Sequence, residues 1–400
     1  MYSVQRSPIL YAMQPAHAQR AHALDLVQRY GWNAMASQIL NPGIDLWFSD
    51  DANAVIGYVV RSGVRVVAGE PVCAAGQRSA VVAAFQQEAR SHRQKVCYFG
   101  AEEPMALALA DHGPVASLLI GAQPVWEPHC WPAILRRKAS LRAQVRRAAN
   151  KQVSVSRWSS ARATNHPELR WCLEQWLQQH GLPPMRFLVE PYTLSHLEHR
   201  RIYVAQQQQH VIGFLIASPV PLRRGWLIEQ IVRGHGAPNG TSELLIDSAM
   251  RDLAADGSRY VTLGLSPLSQ RAGITVSPQP FWLTLLLRWV RAHGRRFYNF
   301  DGLDAFKAKF SPDMWQPIYL MAQDSVITPH TIYAIAAAFS GISPIWFVWQ
   351  GLQSALQQEW QWFWQQQQQH ALKRYAGKTA PIRRLRGAAT ETSCLSPQHC

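Results

Sequence analysis

Along the chain the spacing of apolar residues alternates between a period near 3.6 and a period of two, and these switches lay out the elements. Residues 17–30 (HAQRAHALDLVQRY) have helical spacing. Residues 45–73 (DLWFSDDANAVIGYVVRSGVRVVAGEPVC) alternate Val, Ile and Tyr between turn signals at Asp50–Asp51–Ala52–Asn53 and Ser62–Gly63, which predicts a β-meander. A helix near 78–92, a strand VCYFGAE, a short helix near 104–112 and the apolar run VASLLIG follow. Together they predict a mixed α/β domain over residues 1–132.

A second α/β segment starts near 152. It contains the helix ELRWCLEQWLQQHG, the hairpin RRIYVAQQQQHVIGFLIASPV and the strand GWLIEQIVR. The turn and helix APNGTSELLIDSAM (237–250) and the strand SRYVTLGLSPLS come next. The order of helix, hairpin, strand, glycine turn, helix and strand echoes the first half, so a weak internal repeat of topology is expected, with a second domain over 152–325. Gln206–Gln209 fall at the hairpin turn and Gln365–Gln369 in a late helix, and neither run points to a function.

Composition changes the picture in three places. A length of 400 residues exceeds one ordinary core, in keeping with two domains. The formal charge of +15 attracts polyanions, either nucleic acid or an anionic lipid surface. Much of this excess is concentrated in AILRRKASLRAQVRRAANK, residues 133–151, and no acid occurs from 128 to 167. Within it Lys138, Arg142 and Arg146 recur every four residues, stacking like charges on one helix face at a small cost. With Arg147 they are the candidate contacts to nucleic acid or lipid headgroups; a merely solvated face is the competing reading. Residues 331–349 (TIYAIAAAFSGISPIWFVW) are uncharged but interrupted by Ser340–Gly341 and Pro344. With the tryptophans and six cations beyond, they predict an apolar helical tail over 326–400 resting at a membrane interface; a hydrophobic helix buried against the protein and a true membrane span are the alternatives. The six cysteines lack a CxxC pair and His129–Cys130 lacks a second ligand pair, so reduced structural thiols and no metal site are expected. The N-terminus shows no signal-peptide pattern, which suggests a cytoplasmic protein.

Arg233–Gly234–His235–Gly236–Ala237 at a strand end resembles the pyrophosphate loop of GNAT-fold acyltransferases. The loop's last position falls on Pro238, which has no N–H to offer an anion. A longer set of motifs agrees better: Trp226 and Arg233 ahead of APNGTSE (237–243), then TLGLSPLS (262–269), then FYNFDGLDAFKAKFSPDMWQPIYL (297–320). These, with FSDDANAVIGYVVRSGVRVVAGEPV and SLRAQVRRAANKQVSV upstream, closely resemble the catalytic C-terminal domain of the phosphatidylglycerol lysyltransferases, over roughly residues 20–325.

The resemblance implies two tandem GNAT-like domains that transfer an amino acid from aminoacyl-tRNA to a hydroxyl of phosphatidylglycerol, at the inner face of the plasma membrane. It implies no cofactor beyond aminoacyl-tRNA as co-substrate, because exchange of one ester for another is nearly thermoneutral. The polytopic N-terminal region of many members has no counterpart here, so lipid flipping is not expected. Arg233, Asn239, Gly240 and Glu243 match the strand–turn–helix motif of the family. Asn299, Gly302, Leu303, Phe306, Lys307, Lys309, Phe310 and Trp315 match its late motif. Two positions depart: Gln230 stands where the family has an aspartate, with Glu229 beside it, and Asp304 stands where it tends to have a base.

The chemistry requires an oriented hydroxyl, a stabilised oxyanion and a proton path. Glu229 and Glu243 are candidates to take a proton or hold an α-ammonium, and Arg233, Lys307 and Lys309 to bind phosphate or the oxyanion. Gln230, Asn239, Gly240, Asn299, Lys309 and Trp315 are the candidate substrate-binding set. Each also has a structural reading: Glu243 as a charge at a helix start, Asn239–Gly240 as a turn, and Lys307 and Lys309 as surface charges beside core phenylalanines. A CoA-dependent acyltransferase and a non-catalytic membrane- or RNA-binding descendant are the alternative functions.

Overall fold

The computed structural model describes residues 16–180, 187–188, 192–273, 280–283, 285–286 and 300–340, all within one compact unit that ends at Phe347. In the first half, α1 (Ala16–Tyr30) precedes the antiparallel meander β1 (Asp45–Phe48), β2 (Val55–Arg61) and β3 (Val64–Ala68). Helix α2 (Arg78–Ser91) then carries the chain back so that β4 (Lys95–Ala101) lies parallel to β3. Helix α3 (Glu103–Ala110) leads into the long β5 (Ala116–Trp126).

The second half repeats this plan. After α4 (Trp131–Arg137) and α5 (Ala139–Asn150) come β6 (Val153–Trp158), α6 (Ser160–Ala163) and α7 (Pro167–His180). The meander continues through β7 (Arg201–Gln207), β8 (His210–Val220) and β9 (Gly225–Arg233). Helix α8 (Thr241–Ala255) returns the chain so that β10 (Tyr260–Thr262) runs parallel to β9. The short β11 (Ser266–Pro267), α9 (Phe300–Ala308), β12 (Met314–Ala322) and α10 (Pro329–Ser340) follow.

The two meanders are not two sheets. One mixed sheet runs in the order β1-β2-β3-β4-β12-β5-β10-β9-β8-β7-β6, with β11 added beside β5. Strand β12, from the end of the second half, is inserted between β4 and β5 of the first. Strand β5 pairs in turn with β10 of the second half, Val261 opposite Trp126 and Thr262 opposite Val125. The halves have exchanged their last strands, so the sheet does not divide at 133–151. Short-range periodicity reveals strands but not the partner each will take.

Helices cover both faces. In β3, Val64, Val66 and Ala68 face one core while Val67 faces the other, the period-two signature of a sheet buried on both sides. In β8, Leu215 and Ala217 pack toward α5 and α8, while Phe214 and Ile216 pack toward α7. The expectation of a membrane-interface element fails for residues 329–340. Helix α10 places Ala334, Ile335 and Ala338 in the first-half core, and Phe339 meets Phe99 and Phe187 edge-on at 4.9 and 5.3 Å. Its apolar character is used inside the protein, as in the alternative reading. The rest of the 326–400 tail lies outside the described residues. Among those described, no helix is long and apolar enough to cross a membrane.

A buried polar network crosses the seam. Arg223 pairs with Glu102, donates to Gln316 Oε1 at 3.0 Å, and lies over the rings of Trp32 and Tyr260. Gln123 Nε2 donates to both Tyr260 Oη and Gln316 Oε1 at 3.1 Å. Glu70 Oε1 accepts the Glu102 amide at 2.7 Å, and burial together with the nearby Glu102 carboxylate pushes Glu70 up to about 7.

Glu70 has a proton affinity raised above its unfolded value, so the folded protein is favoured where Glu70 is protonated. That contribution is fully present below the ordinary carboxylate range and is lost as pH rises through about 7. Glu70→Gln is expected to flatten the fall in melting temperature between pH 5 and pH 8, an effect on the order of 3 kcal/mol. An unchanged pH dependence in thermal melts would show that Glu70 does not carry it.

Candidate functional site

The parallel pair β9/β10 ends at Leu227 opposite Thr262, after which the two chains separate. Glu229 and Gln230 lie just past that point on β9, and Gly264 and Leu265 just past it on the other chain. Openings of this kind, at the carboxyl ends of parallel strands, are where α/β folds place ligands.

Lys307 fills this place from below. Helix α9 buries it almost completely, and its Nζ donates to the carbonyl oxygens of Gly264 and Leu265 at 2.9 and 2.8 Å. Burial lowers its affinity for a proton to about 7, against the opposing pull of Asp304. A neutral amine has two N–H donors for the two carbonyls and keeps one lone pair. The surface-charge reading of Lys307 is therefore wrong. It is a buried amine that titrates near neutrality.

Lys309, two residues on, is partly exposed. Its Nζ lies 2.5 Å from Glu243 Oε1 and over the rings of Phe306 and Phe310. The ion pair joins the α8 start to the α9 end, bringing together residues from both motifs. Trp126 Nε1 donates to the Phe310 carbonyl at 3.1 Å and Trp131 Nε1 to Asp247 at 2.7 Å, anchoring the same corner.

Glu229 occupies a β-bulge, where the register slips between Ile216 and Ala217. Its carboxylate is 2.6 Å from Arg200 Nε, and both side chains are only 6% exposed. There its charge is matched by Arg200. Gln230 is buried and accepts the Thr193 hydroxyl at 3.0 Å. Arg233 ends β9 opposite Gly213 and is exposed. Trp315 on β12 carries the Arg271 guanidinium 5.4 Å from its ring centre. Asn299 lies outside the described residues.

The turn at 234–240 is tied into the fold by its own amides. The amides of Gly234, Ala237 and Thr241 bond to carbonyls of Ile212, Gly234 and Pro238, and the His235 amide bonds to Gln175. These bonds engage four amides of the turn and helix start, and Pro238 has none to give. Asn239 is exposed, and Gly240 has φ +97° against α5, where a Cβ would lie 2.1 Å from the Gln144 carbonyl oxygen.

The expected basic helix is two helices. The chain breaks at Lys138 (φ −102°, ψ 85°), so Lys138 leaves the stripe. Arg142 turns back to cap α4, Nη1 donating to Leu135 O at 2.7 Å and also to Arg136 O. Lys138, Arg146 and Arg147 are exposed, as are Arg136 and Arg137. Glu127, His129 and Cys130, largely exposed, bring ligand atoms within 4.8 Å of one another, a cluster that the sequence spacing did not suggest.

Sequence reasoning missed Arg200, the partner of Glu229, and Arg271, which binds Asp304 Oδ2 at 2.6 Å. Neither sits in a recognisable motif, although the unusual acid at 304 was a signal that a cation had to be near. Arg271, Asp304 and Asp301 line a cleft of about 290 Å³ with residues 267–270 and Phe300.

Residues 24–322 match the family model described as phosphatidylglycerol lysyltransferase, C-terminal. The chain is 25% identical over 288 residues to a phosphatidylglycerol lysyltransferase of Bacillus subtilis, covering 68% of this chain and 31% of that protein. It is 20% identical over 313 residues to one of Staphylococcus epidermidis, covering 76% and 36%. The chain thus spans about a third of the length of these curated relatives. Among solved structures, the C-terminal domain assigned to a lysylphosphatidylglycerol synthetase of Agrobacterium fabrum superposes with a TM-score of 0.69 at 23% identity, covering 81% of this chain and 98% of that one. L-PGS from Bacillus licheniformis gives 0.68 at 18%, covering 84% and 98%. At these identities the two structures establish a shared fold.

Gly240→Ala is expected to destabilise the protein by roughly 1–3 kcal/mol through the strained φ alone, with more from the Gln144 overlap. Chemical denaturation checks this; wild-type stability would mean that α5 and the turn yield without cost.

Proposed function

The chain belongs to the phosphatidylglycerol lysyltransferase C-terminal family, and we propose that it transfers an amino acid from aminoacyl-tRNA to a hydroxyl of phosphatidylglycerol at the inner face of the plasma membrane. The observation that carries the reading is Lys307, a buried amine with a proton affinity near neutrality at the opening of β9/β10. The lipid hydroxyl oxygen attacks the aminoacyl carbonyl carbon, forming the new ester. The bond from that carbon to the ribose oxygen breaks, and the hydroxyl proton ends on the ribose oxygen. Lys307, when neutral, takes the proton from the attacking hydroxyl and returns it to the leaving oxygen. Neither step calls on a cofactor.

The exposed cations of α4 and α5 suit a polyanion, with Arg146 and Arg147 as the tRNA or headgroup contacts. Phe281 and Leu285 stand exposed in the connection before α9 and suit a lipid surface. Arg233, exposed at the strand end, suits a phosphate. The locked Glu229 and paired Glu243 position neighbouring elements in this scheme.

The decisive assay incubates the purified chain with charged tRNA and phosphatidylglycerol vesicles and identifies aminoacylated lipid by mass spectrometry. Absence of product with an intact fold would leave a binding protein without transfer. Because the neutral amine is the active form, kcat/KM is expected to rise with pH through about 7. Lys307→Met is expected to lower kcat by roughly 10²–10⁴-fold, and Lys307→Arg, which cannot deprotonate, to do the same. A Lys307→Arg enzyme with wild-type turnover would remove the lysine from the proton path.

Exposed and capping arginines should separate cleanly. Arg146→Ala and Arg147→Ala are each expected to reduce the slope of log K against log salt for tRNA by about 0.7–0.9. Arg142→Ala is expected to lower thermal stability and leave that slope unchanged. The reverse pattern in salt titrations would return Arg142 to the binding face.

A further inference from the structure

Three observations converge on one turn of α9. Asp304 and Lys307 are three residues apart on the helix and therefore on one side of it. Arg271, from the loop after β11, reaches across to bind Asp304 Oδ2 at 2.6 Å and keeps its outer face over Trp315. The other carboxylate oxygen, Oδ1, is buried and meets no hydrogen-bond donor among the described residues. An unmatched buried carboxylate oxygen is costly, and a fold retains it where its field is used.

We propose that the Arg271–Asp304 ion pair is a positioning pair for transfer, setting the proton affinity of Lys307 through the balance of its two opposite charges. The proposal rests on Lys307 being the proton acceptor. The Asp304 carboxylate favours the ammonium form of Lys307 and opposes burial. Arg271 neutralises part of that carboxylate at 2.6 Å, which leaves burial the larger influence on the amine. Among the described residues, the other charged groups on this segment are Asp301 and Lys309, which pairs with Glu243; the groups that accept from the Lys307 Nζ, the Gly264 and Leu265 carbonyls, do not titrate. The pair also borders the cleft with Ser269 and Asp301, so it is reached from solvent and not sealed in a core.

The two charges make opposite demands, which gives the test its force. Asp304→Asn removes the anion and leaves Lys307 with Arg271 as its neighbour, so its titration should move acid by roughly one pH unit. Arg271→Gln leaves the anion uncompensated, so the titration should move alkaline by about as much. Titration of lysine carbon-13 ε signals by NMR, with Lys307 assigned from the Lys307→Arg spectrum, reads this without any activity. Failure of transfer is thus separable from failure of the proposal. Where transfer is measurable, the pH midpoint of kcat/KM should move in the same two directions. If the pair only clamps the loop to α9, both variants loosen the site and Lys307 moves alkaline in each, toward an ordinary amine. That result, or no movement in either variant, overturns the proposal.

Discussion

The placement of β12 between β4 and β5 is the constraint from which the rest follows. A parallel pair leaves an outer edge whose N–H and C=O groups must be satisfied. Strand β12 supplies that partner for β4, and β5 supplies it for β10. Helix α9 directly precedes β12 in the chain, so the same segment that closes the sheet delivers Lys307 to the carbonyls beyond β10. Sheet closure and placement of the buried amine are thus linked through the chain. Anything that frees β12 also withdraws Lys307.

Charge is divided between interior and surface in a way that suits this arrangement. The chain carries 25 acids against 40 lysines and arginines, and several of those acids are used internally: Glu229 with Arg200, Glu102 with Arg223, Glu243 with Lys309, Asp304 with Arg271. The first two pairs are buried and add little net stability, because desolvation offsets most of the attraction, but breaking one strands a charge; the other two are partly exposed. They fix geometry at the corners of the candidate site, while Arg136, Arg137, Arg146 and Arg147 of α4 and α5 stand exposed on the outside.

The local elements were legible in the sequence because their signals are local. The meander at 45–73 and the strand–turn–helix at 225–255 carry alternating and helical spacing that survives in the structure. The exchange was not, since β5 and β12 are some 190 residues apart, and both contain a proline, Pro124 and Pro317, which argues against a central strand. The break at Lys138 was hidden because the spacing of cations runs unbroken across it, while Leu135 and Leu141 fall on buried faces of two different helices. The late motif gave Lys307 by resemblance, yet its depth came from α9 lying over 264–265, a long-range contact that helical spacing does not encode.

The neutral side chain at 230 becomes intelligible once its neighbour is seen. Glu229 already places one carboxylate in the buried bulge, and Arg200 matches it. A second acid at 230 would add a buried charge requiring its own cation, at a cost of several kcal/mol if left unmatched. The amide takes the Thr193 hydroxyl and carries no net charge, so the bulge stays closed and balanced. In the proposed transfer the proton goes to a group whose charged form is already disfavoured by burial: Lys307 would become a competent base by losing its charge. A carboxylate would have to keep its charge in the same dry corner.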